Sequence, residues 1–137
     1  MTQINVYLIF DGNCEEAMTF YKECLGGELS VNRVEGSPME AQCPPEMKNK
    51  IMHANLVNGG IVLMASDALM PGKYIKGTDS SVSLNCSSEE EINTFFTQLS
   101  AGGVITLPLQ EQFWGALFGM FTDKFGVDWM LNFDRNQ

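Results

Sequence analysis

The chain has 137 residues, with eight Lys and Arg against 17 Asp and Glu and a formal net charge of −9. This excludes a polyanion-binding surface, because nucleic acid and anionic membranes are held by clustered basic side chains that displace counterions. No apolar run approaches the roughly 20 residues that cross a bilayer, and the opening segment MTQINVYLIF lacks the basic region of a signal peptide, so a cytoplasmic protein is expected.

Residues 4–10 alternate as a half-buried strand, with Ile4, Val6, Leu8 and Phe10 on one face and Asn5, Tyr7 and Ile9 on the other. The even face is expected to pack on a helix. Asp11 or Asn13 can cap that helix over about residues 14–25, where Glu15 and Glu16 complement its positive end. Ala17, Phe20, Tyr21 and Leu25 follow at helical spacing before Gly26-Gly27 stops it. Residues 29–34 read as a strand. Residues 36–50, with three prolines, read as a long loop of the kind that sometimes acts as a lid. Two further strands, 51–57 and 61–66, flank Asn58-Gly59-Gly60, a hairpin signal because those residues tolerate positive φ.

After an irregular connector to residue 80 the pattern starts again. A strand over 81–86 precedes a helix capped by Ser87 or Ser88 and running to about residue 100. Ala101-Gly102-Gly103 ends it, and strands at 104–109, 119–122 and 127–133 follow. Glu15, Glu16, Phe20 and Tyr21 recur at constant spacing as Glu90, Glu91, Phe95 and Phe96, and Gly26-Gly27 returns as Gly102-Gly103. The expectation is an α+β fold in one domain, residues 1–137, built from two tandem βαβββ modules at 1–68 and 80–135. In such a duplicated domain, chemistry is expected where the sheets of the two halves face each other.

Cys14, Cys24, Cys43 and Cys86 form no CxxC or CxxH pair, which favours free thiols over a disulfide or zinc site, and nothing local argues for a catalytic thiol. The chain has no GxGxxG, GxSxG, HExxH or GxxxxGK[ST] motif, so dinucleotide, serine hydrolase, zincin and P-loop chemistry are unsupported.

The segments YLIFDGNCEEAMTFY (7–21), MHANL (52–56), ASDA (65–68) and PLQEQFWGALFGMFTDKFGVDWMLN (108–132) together resemble the vicinal oxygen chelate superfamily. That superfamily includes glyoxalase I, bleomycin-resistance proteins and extradiol dioxygenases, and the likeness is greatest to its PhnB-like branch. The resemblance implies curved mixed sheets that form a cleft, usually within a homodimer. It also implies, in metal-using members, a divalent cation on up to four His, Glu or Gln side chains from the first and last strands of each module.

Those positions fall near Asn5, Met64, Ser81 and Met130, or, one residue away, Val6, Leu63, Val82 and Trp129. None is a good ligand for a hard or borderline divalent ion, so neither the usual metal site nor a cofactor is expected. The single histidine, His53, is either structural or a ligand-contacting or proton-transferring group. A site joining it to Asp67 or Glu111 is conceivable but has no spacing signature. Trp114, beside Phe113, either stacks on a ligand or closes one end of the cleft or a dimer contact. Tyr7, Met64 and Met130 are expected to line the cleft, thioethers being adaptable at binding surfaces.

A demethylubiquinone methyltransferase activity, sometimes ascribed to this branch, needs a Gly-rich strand-to-helix turn that the chain lacks. The expected function is binding of a small apolar or cationic ligand at Tyr7, His53, Met64, Phe113, Trp114 and Met130, with the question of catalysis open. A metal-dependent lyase, isomerase or dioxygenase of the same superfamily is the alternative, and a purely structural dimer a third.

Overall fold

The computed structural model describes residues 2–69, 72 and 74–135, and the chain divides into two compact units, Met1–Lys76 and Gly77–Gln137. In the first, alternating apolar residues build β1 (Val6–Phe10), and α1 (Cys14–Leu25) follows. The unit continues with β2 (Glu28–Arg33), β3 (Ile51–Asn58) and β4 (Ile61–Asp67). The sheet order is β1-β4-β3-β2, with β1 parallel to β4 and the other pairs antiparallel.

The second unit repeats this with β5 (Val82–Asn85), α2 (Glu89–Ser100), β6 (Val104–Glu111), β7 (Ala116–Thr122) and β8 (Asp128–Asp134). Its order is β5-β8-β7-β6, with β5 parallel to β8. The fold is therefore α+β with two βαβββ modules, and each crossover helix covers one face of its sheet.

Ala17, Met18, Tyr21 and Leu25 are buried on α1, which lies over β2, β3 and β4, whereas Phe20 is half-buried. In the second unit Ile92, Phe96 and Leu99 are buried, and Phe96 meets Phe121 edge-on at 5.1 Å. Gly119 makes that contact feasible, since a Cβ there would lie 2.6 Å from the Phe96 ring. The repeated glycines answer one steric need. A Cβ at Gly27 would sit 2.3 Å from the Val57 carbonyl oxygen, and one at Gly103 would sit 2.1 Å from that of Thr122.

Some boundaries differ from the sequence expectation. The first strand begins at Val6, not residue 4, and Ile4 is fully exposed. The seventh begins at Ala116 rather than 119, because Gly119 is an interior clearance and not a strand start. The sixth runs on to Glu111 through Pro108, which an edge strand tolerates where its register shifts, here between Leu107 and Gln110. The long loop carries two short 3-10 turns, Glu40–Gln42 and Pro45–Met47.

The helix starts are secured differently. Ser88 caps α2, its hydroxyl accepting from the Glu91 N–H at 3.1 Å, while the Glu91 carboxylate accepts from the Ser87 N–H at 2.8 Å. For α1 neither expected residue caps: Asn13 occupies the position without a side-chain hydrogen bond. Instead Asp67, 3 % exposed at the end of β4, accepts from the Cys14 N–H at 2.9 Å and from the Ile51 N–H at 2.8 Å.

Replacing Asp67 by Ala leaves two buried donors unpaired and is expected to cost about 2–5 kcal/mol in urea unfolding of the full chain. Breaking the exposed Arg33–Glu15 pair (2.7 Å) with Glu15→Ala is expected to cost well under about 1 kcal/mol.

Candidate functional site

One face of the first sheet is taken by α1 and by Leu63, Ala65, Ala54 and Leu56, all buried. The register places Tyr7 beside Met64, and Met64 beside Asn55, on the opposite, open face. His53 joins them by alternation with Asn55, and a strand irregularity lies just ahead of it. Asn32 pairs with His53 but Arg33 pairs with Ile51, so Met52 is skipped and the alternation reverses. Ile51 is thereby buried at 1 % exposure, while His53 keeps the open-side alternation of Asn55. There the Tyr7 hydroxyl lies 3.3 Å from His53 Nδ1, a hydrogen bond whose donor is set by the imidazole tautomer, and the rings are 5.8 Å apart.

Asn55 went unnoticed in the sequence and is the most unusual group of this face. Its Oδ1 is buried and has no hydrogen-bond partner, a condition that costs about 1–3 kcal/mol. The only sequence signal was an amide at an alternating position of MHANL.

In the second unit Met130 pairs with Ser83 on β5 and with Met120 on β7. Thr122 donates to Asp128 Oδ1 at 2.6 Å on the same face. Phe113 and Trp114 form the β6–β7 hairpin tip, closed by the Gly115 N–H donating to the Gln112 carbonyl at 3.0 Å. Phe113 is 96 % exposed and Trp114 49 %. The Trp114 ring stands perpendicular to Phe113 at 4.9 Å and lies 6.0 Å from Phe118. The other indole, Trp129, belongs to the core, donating to Asp123 Oδ2 at 2.8 Å.

The structure therefore gathers Tyr7, His53 and Met64 on one face of the first unit. In the second, Phe113 and Trp114 share a hairpin tip and Met130 lies on the sheet.

The positions carried over for a metal are corrected by the register. The neighbours of Met64 and Met130 across the parallel pairs are Tyr7 and Ser83, whereas Asn5 and Ser81 lie outside the strands and are exposed. A phenol, a hydroxyl and two thioethers do not fit a borderline or hard divalent ion. Nor does His53 reach a carboxylate partner in Asp67, which sits on the helix-packed face with both oxygens occupied by N–H groups. Glu111 is paired with Arg135 at 3.5 Å. Among the described residues no three His, Cys, Asp or Glu side chains are grouped to hold a metal.

None of the four cysteines is in a disulfide. Burial pushes the Cys14 thiol up to about 12, reinforced by Asp67 and Glu15, and burial pushes Cys86 up to about 12, reinforced by Glu91. Neither supplies a thiolate near neutral pH.

Two mixed four-stranded sheets, each with one parallel edge pair and one covering helix, define a protein of the glyoxalase type. The chain belongs to the Glyoxalase/Bleomycin resistance protein/Dioxygenase superfamily, whose family model matches residues 3–131. It is 38 % identical to Protein YjdN of Escherichia coli K12, over 98 % of this chain and 97 % of that one. The crystal structure of protein PA1353 from Pseudomonas aeruginosa is similar at TM-score 0.82 and 46 % identity, covering 98 % of both chains. A PhnB protein from Bacillus cereus, described as a putative 3-demethylubiquinone-9 3-methyltransferase, is similar at TM-score 0.78 and 30 % identity, over 96 % of this chain and 99 % of that one.

The thiol environments predict an order of alkylation. Iodoacetamide at pH 8 should modify the half-buried Cys24 and Cys43 well before the buried Cys14 and Cys86, as read by peptide mapping. Because the folded values near 12 exceed the ordinary 9.0, the unfolded chain loses these protons first as pH rises. Stability should therefore hold below pH 9 and fall between 9 and 12, and Cys14→Ala with Cys86→Ala should flatten that fall in urea titrations.

Proposed function

We propose that this protein is a PhnB-like small-molecule binder of its superfamily that works without the usual metal site. The observation that carries this reading is the register of the two parallel pairs, which sets Tyr7 beside Met64 and Ser83 beside Met130. Side chains of this kind favour contact with a ligand body over coordination of a cation. Tyr7, 45 % exposed, offers ring surface on the first sheet, and Trp114 with Phe113 offers it on the second unit's hairpin. Met64 and His53 join Tyr7 on the first unit, and Met130 lies on the sheet of the second.

The net charge of −9 favours neutral or cationic compounds over anions. Ile4, Val104, Ile105 and Phe113 leave large apolar side chains in water, which supports a homodimer, and a cytoplasmic location is part of the same proposal. The methyltransferase description of the Bacillus cereus protein does not carry over. The β1–α1 turn has no Gly-rich fingerprint, and its first helical N–H is already taken by Asp67.

Native mass spectrometry of the full chain purified from its host is expected to show a dimer with a retained organic adduct and no stoichiometric metal. Stoichiometric zinc, nickel or iron surviving dialysis would overturn the proposal. Once the adduct is identified, Tyr7→Ala and Met64→Ala should each weaken its binding about tenfold or more, with the midpoint of thermal unfolding nearly unchanged. Trp114→Phe should remove the ligand-dependent change in fluorescence while the buried Trp129 keeps its emission.

A further inference from the structure

The duplication supplies an internal control for one residue of the first sheet. Asn55 stands beside Met64 on β3, and Met120 stands beside Met130 on β7, so Asn55 and Met120 occupy the same position of the two sheets. The second unit fills that position with a thioether, which has no strong hydrogen-bonding requirement. The first unit fills it with an amide whose oxygen is buried and unpartnered. An apolar side chain is therefore compatible with this slot in the fold, and the amide weakens the free protein. Polar groups retained against local stability mark binding sites.

Resting on the small-molecule reading above, we infer that Asn55 is the specificity-determining residue of the first sheet's open face, accepting a hydrogen bond from the bound compound. Its amide turns about the last side-chain torsion, which is broad and nearly twofold, and this brings Oδ1 to the surface when a donor arrives. The register neighbours Ser30 and Met64 are uncharged, and Tyr7 with its hydrogen-bonded His53 borders the same face. The compound is therefore a neutral one with a ring or other apolar body against Tyr7 and Met64 and a hydroxyl or N–H donor directed at Asn55. A site that holds a polar group ready for such a donor discriminates strongly against the analogue lacking it.

Phenol and toluene test this on the full-length protein, because they share a ring and differ in the donor. Benzylamine tests the charge. Dissociation constants come from amide chemical-shift titrations, with the Asn55 side-chain resonances as the local reporter. The parent protein should bind phenol at least about tenfold more tightly than toluene, and more tightly than benzylamine. Asn55→Met, the natural occupant of the second unit's slot, should bring phenol down to the level of toluene. It should also unfold at the same or a higher temperature than the parent.

Equal binding of phenol and toluene, or unchanged phenol binding in Asn55→Met, would overturn the inference while leaving the small-molecule reading standing. A preference for benzylamine would overturn the neutral class. No titration of this face by any of the three would sink both. Should Asn55→Met and Asn55→Leu both be destabilised, the amide is structural and the inference fails on stability alone.

Discussion

A carboxylate kept from water at the end of β4 is the constraint on which the first unit depends. Asp67 is 3 % exposed, and a buried acid persists only where donors meet it. The two it finds belong to Cys14, at the start of α1, and Ile51, at the start of β3. One side chain thus ties helix entry to the sheet and pins the β3 end where Met52 is skipped. That irregularity turns Ile51 into the core, so the acid secures the helix-packed side of the sheet, while His53 faces Tyr7 by regular alternation with Asn55. The second unit has a buried acid of its own, Asp123, but uses it locally. Its oxygens accept from the Phe125 and Val127 N–H groups and from the Trp129 indole, which fixes the β7–β8 turn.

Much of this architecture was legible in the sequence. The repeated Glu-Glu and aromatic spacing revealed the duplication, and helix residues 14–25 and the Asn58-Gly59 turn stand where periodicity and turn chemistry put them. Errors arose where a long-range contact overrides a local signal. Gly119 reads as a strand boundary until Phe96 is seen above it. Asn13 reads as a cap until an acid from residue 67 is found in its place. Ile51 could not be assigned to a face from alternation alone, because the strand skips Met52 beside it. The orphaned oxygen of Asn55 was invisible in the sequence, since only the fold shows whether a buried amide finds a partner.

The two halves also show how one fold diverges without losing its frame. Topology, parallel edge pairs and close-approach glycines are shared, and both thioethers keep their place beside β1 and β5. What varies is the neighbouring chemistry, with Tyr7 and Asn55 on one side and Ser83 and Met120 on the other. The backbone solution is thus common to both copies, while the outward side chains differ.

The unequal helix caps carry a consequence for the order in which the chain assembles. The α2 start closes on itself within four residues, through Ser87, Ser88 and Glu91, so its cap needs no distant partner. The α1 start waits for a partner 53 positions away, and loop-closure entropy must be met before that bond can form. The amino-terminal half, although synthesised first, therefore completes its helix only after β4 has emerged and docked. Until then the Cys14 N–H at the head of α1 lacks its carboxylate partner.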